Sequence, residues 1–504
     1  MGRSDSPSER ASRQRAVDQH IEAILHGPRG PEIGAFFDFD GTLIDGYSAS
    51  HYYRDKLSRR AVDLDELADL VAFSRLKQPT TADFEAMLRS IAGRMTGLAR
   101  EEWAGTWKRL FCKQIAGTIF PEAWRLVQAH RHMGHTLVIA SSATAEQIAP
   151  VADEFDIEHR LSSRLADDGG VLSGELDGIP LWGPEKAAAV RRFAAQRGMD
   201  LQRCHAYANG DEDRDFLASV GQPAAVNPQP ALAAAAADQA WPVLSFAPRA
   251  RVSMADRLRT IGSYGAMAAS FAGGVLYDRL TGERRKALDV VSTVGTELGL
   301  LIAGIDVRIQ GEQHLWSHRP AVFIFNHQSP LDLVVGLKLA QRGFTGVVKK
   351  EAAEVPGFGQ FMKFADMAFV DRGNSHAARQ AMAPAVEKLR RGISVGICPE
   401  GTRSYSPRVG PFKKGAFHLA MAADVPIVPV VMRNVGERMW RNGLWMRPGT
   451  IDIAVLPPLS VSGWKLADLD RKVEEARQLF VDTLAQWPES GSGVPKSPLY
   501  ASIP

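Results

Sequence analysis

Two apolar stretches of the sequence lead directly into side chains that could carry out chemistry. The first, "GAFFDFDGTL", places Asp38 and Asp40 two residues apart, so both carboxylates point the same way where a strand ends. Like charges in that position repel each other unless protons or a cation hold them together. Mg²⁺ is the usual partner because it prefers oxygen ligands. The pattern therefore predicts a magnesium site that includes Asp38 and Asp40.

A second group of carboxylates follows another apolar stretch, in "CHAYANGDEDRDFL". Because the carboxyl ends of parallel strands meet at one edge of a sheet, Asp211 is expected to supply a further metal oxygen. Asp215 is expected to support the loop. We therefore assign Asp211 to the metal site and Asp215 to its surroundings.

The second reactive stretch is "FIFNHQSPLD", which carries His327 and Asp332. Ser329 and Pro330 favour the start of a helix, with Asp332 near its positive end. The same turn could bring Asp332 to one ring nitrogen of His327 and leave the other nitrogen as a base. The two interpretations are compatible, but a histidine five residues before an aspartate is common by chance.

The elements that must position these groups form two α/β regions. In each region apolar strands alternate with helical stretches, which is typical of parallel sheets. A helical stretch at about 45–120 interrupts the first region and is expected to be a cap. The expected organisation is a disordered tail (1–30), a first α/β domain (31–245), a helical linker (246–305), a second α/β domain (306–488) and a disordered tail (489–504).

Four motifs of the first region occur in an order that resembles the haloacid dehalogenase superfamily, in particular its phosphoserine-phosphatase-like branch. They are "DFDGT", the strand-end serine of "VIASSAT", the lysine of "GPEKAAAV", and "GDEDRD". The resemblance implies a Rossmann-like domain with a helical cap. It also implies a Mg²⁺-dependent phosphomonoesterase that works through an aspartyl-phosphate.

The same resemblance implies a role for each motif residue. Asp38 would be the nucleophile, and Asp40 would protonate the leaving alkoxide and later activate water. Ser141, for which the adjacent serine is an alternative, and Lys186 would hold the phosphoryl oxygens. Mg²⁺ would be bound by Asp38, Asp211 and the backbone carbonyl of Asp40.

The second region resembles the glycerolipid acyltransferases, most closely the 1-acylglycerol-3-phosphate acyltransferases. Downstream of "FNHQSPLD" come "VVKKEAAEVPGFG", "FVDRG", "CPEGTRS" and "VPIVPV". The resemblance implies an α/β domain in which His327 takes a proton from the sn-2 hydroxyl of lysophosphatidate while Asp332 orients the ring. The acyl donor would be acyl-CoA or acyl carrier protein. The implied phosphate-binding residues are Lys349, Arg372, Glu400, Gly401 and Arg403.

The segment "TIGSYGAMAASFAGGVLY" (260–277) is uncharged but rich in glycine, alanine and serine. With "LDVVSTVGTELGLLIAGI" after it, three interpretations stay open: a buried helical hairpin, an interfacial pair of helices, and a membrane-spanning helix. Flanking basic residues could bind an anionic surface. We expect attachment at the cytoplasmic face of a membrane, either peripheral or shallowly inserted.

The composition of the chain bears on its partners and on the compartment in which it works. Among 504 residues the formal net charge is +3, so bulk charge gives no case for nucleic-acid binding. The three cysteines lack the spacing of metal ligands, which favours a reducing compartment. The histidines of "HRHMGH" are expected on a solvated surface, and the alternative is a metal site. Two alternatives to a two-site lipid enzyme are a first domain with only a regulatory role, and a membrane scaffold.

Overall fold

The computed structural model describes residues 7–60, 71–73, 75–76, 79–249, 252–355, 357–370 and 375–487. The chain divides into two compact units, residues 1–250 and 251–504. We call them the N-terminal and the C-terminal unit. The boundary lies close to the predicted end of the first α/β domain.

The N-terminal unit is built on a six-stranded parallel sheet whose strands lie in the order β3-β2-β1-β6-β7-β8. Its strands are β1 (Gly34–Phe37), β2 (Thr136–Thr144), β3 (His159–Ser163), β4 (Leu165–Asp168), β5 (Val171–Leu176), β6 (His205–Ala208), β7 (Gln222–Val226) and β8 (Val243–Leu244). Its helices are α1 (Pro7–Leu25), α2 (Ser48–Ser58), α3 (Thr81–Gly93), α4 (Arg100–Lys113), α5 (Pro121–His132), α6 (Ala145–Phe155), α7 (Pro184–Gln196), α8 (Arg214–Ala218) and α9 (Pro230–Asp238). Because β1 and β6 are neighbours, the residues that follow these strands share one edge of the sheet.

The predicted cap corresponds to helices α2, α3 and α4, which lie between β1 and β2; part of it, 61–70, lies outside the described residues. The sequence did not predict the hairpin of β4 and β5. This hairpin extends the cap, because the backbone N–H of Gly97 donates to Leu172 and that of Leu172 donates to Leu98, both over 2.9 Å.

Residues 1–30 are not a disordered tail throughout, because α1 packs against α5. Val17, Ile21 and Ile24 are buried along one side of α1. Their spacing of four and three residues places them on one face of a helix. The expectation failed because polar residues surround these three apolar positions and hide the pattern.

The C-terminal unit contains a seven-stranded sheet with strands in the order β12-β11-β13-β10-β14-β15-β9. Its strands are β9 (Ile305–Gln310), β10 (Val322–Phe325), β11 (Phe344–Lys349), β12 (Ala368–Val370), β13 (Ser394–Ile397), β14 (Ile427–Met432) and β15 (Gly449–Val455). Its helices are α10 (Met254–Thr281), α11 (Arg284–Val290), α12 (Thr296–Ala303), α13 (Leu331–Ala340), α14 (Phe358–Phe364), α15 (Ser375–Arg390), α16 (Gly415–Ala423), α17 (Val435–Arg438) and α18 (Leu469–Ala485). Strands β10 to β14 are parallel, and β15 is antiparallel to β14. The predicted α/β class of both units is confirmed.

Residues 246–305 are not a linker, because most of them form a helical hairpin that belongs to the C-terminal unit. One arm of this helical hairpin is α10, and the other runs from α11 to α12. Helix α10 packs against α11, α12 and the π-helical turn Val291–Gly295 between them. Small residues allow close approach: Ser263 Oγ donates to the Gly299 carbonyl over 2.7 Å, and a Cβ added to Gly299 would lie 2.2 Å from Met267.

The hairpin is not the fully buried pair that one interpretation predicted. Large apolar side chains are exposed on both of its arms: Leu258, Ile261, Leu276, Leu280, Leu298 and Leu301. Among the described residues, no helix combines the length and the apolar character needed to cross a bilayer.

Candidate active sites

In the N-terminal unit, Lys186 in the first turn of α7 lies between two carboxylates. One belongs to Asp38, which follows β1, and the other to Asp213, which follows β6. Lys186 Nζ lies 2.8 Å from Asp38 Oδ1 and 2.6 Å from Asp213 Oδ1, and all three side chains are buried. Burial alone would lower the pKa of Lys186, but Asp213 and Asp38 hold that pKa above its ordinary value. The lysine is therefore a permanent cation beside Asp38, suited to binding phosphoryl oxygens.

Asp40 accepts two hydrogen bonds from the first residue of α2. The Ser48 backbone N–H donates to Asp40 Oδ1 over 2.8 Å, and Ser48 Oγ donates to Oδ2 over 3.1 Å. Burial raises the pKa of Asp40 to about 7, although the Ser48 N–H group opposes the shift. A carboxyl group with that pKa can both give and take a proton near neutral pH, as an acid–base catalyst must.

Asn209, which follows β6, lies where the strand-end carboxylates converge. With its amide nitrogen turned towards them, it donates to the Asp40 carbonyl oxygen over 2.7 Å and to Asp38 Oδ2 over 3.2 Å. With its amide oxygen turned the same way, it accepts from Thr42 Oγ1 over 3.3 Å, and three oxygens then face one another. A hard cation would hold such a cluster together. Asp38, Asn209 and the Asp40 carbonyl therefore fit a Mg²⁺ site.

This arrangement corrects two residue assignments from the sequence. Asp211 is exposed, and its Oδ1 accepts the backbone N–H of Leu232 in the first turn of α9 over 2.8 Å, so Asn209 takes its place beside Asp38. Asp215 is also exposed, whereas Asp213 contacts the lysine. The predicted pair was shifted by two residues relative to the pair that the strand end positions.

In the C-terminal unit, β10 ends just before a histidine and an aspartate that contact each other. His327 Nδ1 lies 2.6 Å from Asp332 Oδ2. The same oxygen accepts the backbone N–H groups of Gln328 (2.7 Å) and Ser329 (2.9 Å), so both interpretations of this turn hold. The Asp332 side chain is 2% exposed, whereas that of His327 is 25% exposed. The buried carboxylate therefore positions the imidazole ring, and part of the ring is accessible to solvent.

Burial and two neighbouring side chains determine the proton affinity of His327. Burial alone would lower its pKa, but Cys398 and the hydrogen-bonded Asp332 carboxylate raise the pKa to about 10. The sequence contained Cys398 in "CPEGTRS", but nothing in that motif indicated contact with the imidazole.

Glu400 supports the backbone around His327. Its Oε1 accepts the His327 backbone N–H over 2.7 Å, and its Oε2 accepts the Gly410 N–H over 2.8 Å. Burial raises the pKa of Glu400 to about 7, against the opposing effect of those two N–H groups. Both oxygens are thus occupied by backbone, which corrects the expectation that Glu400 lines a phosphate pocket.

Comparison with known proteins assigns each unit to a protein family. The model of the haloacid dehalogenase-like hydrolases matches residues 35–218, and that of the acyltransferases matches residues 306–433. An uncharacterized acyltransferase of Schizosaccharomyces pombe is 34% identical over 198 residues, which are 38% of this chain and 71% of that protein. The chain belongs to the acyltransferase family and contains a haloacid dehalogenase-like hydrolase domain. The two units are therefore a haloacid dehalogenase-like (HAD) domain and an acyltransferase domain.

Two further relatives are similar to parts of the chain. A 1-acyl-sn-glycerol-3-phosphate acyltransferase of Limnanthes douglasii is 37% identical over 189 residues, 37% of this chain and 66% of that protein. The chain thus spans just under two thirds of this relative. The inhibition of morphological differentiation protein of Streptomyces azureus is 33% identical over 226 residues, 43% of this chain and 79% of that protein.

The two serines predicted for the HAD domain lie at the end of β2, and Gly41 follows the catalytic aspartates. Ser141 is buried near the end of β2, and its Oγ accepts the Ala143 N–H over 3.2 Å. Ser142, the alternative, is partly exposed on the same strand. A Cβ added to Gly41 would lie 2.2 Å from Asn209, so glycine at this position leaves room for the amide.

The remaining predicted residues of the acyltransferase domain lie near strand ends. Lys349, the last residue of β11, is exposed and pairs with Glu351 over 3.0 Å. Gly401 has a φ of +76°, which favours glycine. Arg403 is partly exposed, and its carbonyl accepts from Arg441. Arg372 lies outside the described residues.

Proposed function

We propose that the acyltransferase domain moves an acyl group from a thioester to the free hydroxyl of 1-acylglycerol-3-phosphate, giving phosphatidate. The observation that carries this proposal is the His327–Asp332 pair, with a buried acid behind a ring that is partly exposed. Family membership supports the reaction class. The Limnanthes relative supports the choice of acceptor.

The proposed reaction needs one base and no covalent acyl-enzyme. His327 Nε2 takes the hydroxyl proton as the substrate oxygen attacks the thioester carbonyl. The carbon–sulfur bond then breaks, and the imidazolium returns the proton to the departing thiolate. Asp332 holds Nδ1 as a donor and stabilises the positive charge that forms on the ring. The products are an ester and a free thiol.

Binding of the acceptor's phosphate is assigned to basic side chains near the same strand ends. Arg403 and Lys349 are both accessible, and a planar guanidinium can donate to two phosphate oxygens at once. Arg372 completes the proposed set on the strength of its motif. Gly401 shapes the turn, whereas Glu400 acts through the backbone of His327. Acyl-CoA and acyl carrier protein both remain candidate donors.

For the HAD domain we propose hydrolysis of a phosphomonoester through an aspartyl-phosphate on Asp38. The carboxylate attacks phosphorus, Asp40 protonates the leaving oxygen, and Asp40 then takes a proton from the water that attacks the intermediate. Lys186 and Ser141 bind the phosphoryl oxygens. When bound by Asp38, Asn209 and the Asp40 carbonyl, Mg²⁺ would supply positive charge that stabilises the transferring phosphoryl group.

The physiological phosphomonoester is proposed to belong to the same lipid chemistry, either phosphatidate or a polar-headgroup phosphate. The fusion of the two domains motivates this proposal. The alternative is a regulatory HAD domain without turnover. One observation gives that alternative weight: Asn209 is neutral, so the cation site has fewer charges than one with a second carboxylate, and its Mg²⁺ affinity should be lower.

A substrate screen with two variants, each lacking the key side chain of one site, tests both proposals. His327→Ala should abolish acyl transfer from a thioester and leave phosphate release from an aryl phosphate intact. Asp38→Asn should do the reverse. A regulatory HAD domain predicts no Mg²⁺-dependent release from either chain. Rapid release from phosphoserine with none from any lipid phosphate would reject the lipid assignment alone.

We further propose that the acyltransferase domain works at a membrane surface, bound peripherally or shallowly inserted on the cytoplasmic face. The support is the helical hairpin, whose exposed Leu276, Leu280 and Leu301 offer apolar contact to a bilayer. Exposed cations such as Arg259 and Lys286 can add attraction to anionic lipids.

A further inference from the structure

Three histidines of the HAD domain meet at the edge of the sheet opposite the catalytic residues. They come from the last turn of α5 (His130), from the residue before β2 (His135) and from the first residue of β6 (His205). One ring nitrogen of each lies within 4.8 Å of those of the other two. His130 and His135 are buried, which corrects the expectation that "HRHMGH" forms a solvated surface.

Hydrogen bonds link this cluster to α1 and to the chain before β1. His130 Nδ1 lies 2.8 Å from His135 Nδ1, and His135 Nε2 lies 2.9 Å from the Pro28 carbonyl. His130 Nε2 lies 2.8 Å from Tyr207 Oη, which lies 3.1 Å from His20 Nε2. One set of neutral tautomers satisfies all four contacts, with a single proton between His130 Nδ1 and His135 Nδ1.

One ring nitrogen of the cluster differs from the others in its hydrogen bonding. Within the described part of the chain, His205 Nδ1 is buried and has no hydrogen-bond partner. Burial and the neighbouring His135 lower the pKa of His205 to about 4, and burial lowers the pKa of His130 well below its ordinary value. Burial therefore favours the neutral form of these rings, and a neutral imidazole is the form that binds metals.

We propose that His130, His135 and His205 bind a transition-metal ion of the zinc class. Three neutral imidazoles without a carboxylate suit Zn²⁺, Co²⁺, Ni²⁺ or Cu²⁺ and do not suit Mg²⁺. The ion replaces the proton between His130 and His135 and gives His205 the partner that it lacks. Solvent supplies the fourth ligand on the side of His205, the partly exposed member.

The surroundings provide the support that metal-bound histidines usually have. His135 Nε2 already faces the Pro28 carbonyl, and His130 Nε2 can donate to Tyr207 Oη, whose proton then turns to His20. Zn–N bonds of about 2.0–2.1 Å place tetrahedral ligand nitrogens roughly 3.3 Å apart, so the two Nδ1 atoms must separate by about half an ångström. This is a small movement for two side chains.

The neighbouring cysteine is not part of the proposed site. Cys204 Sγ accepts the Gly34 N–H over 3.1 Å and donates to the Asp200 carbonyl over 3.2 Å. Both hydrogen bonds engage the sulfur elsewhere. Burial also raises the pKa of the thiol, which disfavours the thiolate form that binds metals. The ligand set is thus imidazole and solvent alone.

The test is a titration of the full chain, stripped of metal and without an affinity tag, in excess Mg²⁺ that fills the oxygen-ligand site. Co²⁺ reports the geometry through its visible absorption, and Zn²⁺ is counted by elemental analysis after dialysis. About one ion per chain is expected, with cobalt bands of a low-coordinate nitrogen site and a higher thermal midpoint when Zn²⁺ is bound.

His205→Gln and His135→Gln should each lose the ion, whereas His132→Gln is the matched control because its ring is exposed on the same turn. Asp38→Asn should retain the ion, which separates this site from the catalytic one. His205→Gln also removes ring contacts with His130, His135 and Tyr207, so a thermal melt of the metal-free variant checks that it is folded before its Zn²⁺ content is compared. Equal Zn²⁺ binding by wild type and His205→Gln, or none by wild type, would overturn the proposal.

Discussion

His327 Nδ1 and Asp332 Oδ2 lie 2.6 Å apart, and the same oxygen accepts two backbone N–H groups of the turn between them. One buried carboxylate thus fixes the position of the ring and favours its protonated form. A protonated imidazole cannot accept the hydroxyl proton of a substrate. The charge that positions the base therefore also limits the pH range in which the base works.

Acyl transfer should become faster with pH, because Cys398 and Asp332 raise the pKa of His327 to about 10 against the opposing effect of burial. Cys398→Ser removes a side chain that raises the pKa of His327, so the rise in kcat/KM should move to lower pH. Thioester cleavage recorded from about pH 6 to 9 gives the profile. Cys112→Ser is the control and should leave the profile unchanged. A shift of the Cys398→Ser profile to higher pH would contradict the argument.

Glu400→Gln should lower the stability of the acyltransferase domain by about 1–3 kcal/mol, because the new amide group turns a donor towards a backbone donor. We expect kcat to fall with little change in the KM of the phosphate-bearing acceptor. Arg403→Ala is the comparison and should mainly raise that KM. Urea unfolding and initial rates measure the two effects. If Glu400→Gln raises KM alone, Glu400 contacts substrate after all.

Asn209→Ala should reduce Mg²⁺-dependent phosphate release by at least about tenfold, since it removes a proposed ligand. Asp211→Ala should change it little, because that side chain bonds to the first turn of α9. Asn209→Asp adds a charge and should lower the Mg²⁺ concentration needed for half-maximal rate. An aryl phosphate assay with varied Mg²⁺ decides, and the opposite ranking of the two alanine variants would restore Asp211 to the metal site.

The sequence predicted the reactive strand ends well but not the alignment of the last motif. Asn209 and Asp213 are four residues apart, and so are Asp211 and Asp215. Spacing alone cannot choose between these pairs, because the choice depends on where β6 ends. That end at Ala208 is fixed by pairing with β1 and β7, which is a tertiary property.

Other features could not be predicted for similar reasons. The contact of Cys398 with His327 depends on β13 lying beside β10 in the sheet, although many residues separate them in the chain. The three-histidine cluster combines a helix end with the starts of two strands. By contrast, the His327–Asp332 contact lies within one turn, and the sequence predicted it correctly.

Lys186→Met should destabilise the HAD domain by roughly 3–5 kcal/mol, because it leaves two buried carboxylates without their cation. Burial already raises the pKa of Asp213, and loss of Lys186 removes the main opposing charge. The double variant Lys186→Met/Asp213→Asn should recover part of the loss. Chemical denaturation of the three chains measures this coupling. Equal stability of the single and double variants would show that the carboxylates do not interact through the lysine.

Leu276→Glu and Leu301→Glu should each weaken membrane attachment, because both side chains are exposed on the helical hairpin. Flotation with vesicles that contain anionic phospholipid measures the bound fraction, which we expect to fall several-fold. Leu466→Glu changes an equally exposed leucine outside the hairpin and should bind as wild type does. Identical flotation of all four chains would exclude the hairpin as the attachment surface.

The two hydrogen bonds from Ser48 to Asp40 join the cap to the catalytic acid. Since α2 begins at Ser48, a displacement of this helix to admit a substrate would withdraw both donors from the carboxylate. Loss of these donors would raise the pKa of Asp40, whereas the loss of burial that accompanies opening would lower it, so the charge of the acid responds to the position of the helix. Admission of the substrate and the charge of the acid are thereby coupled through a single serine.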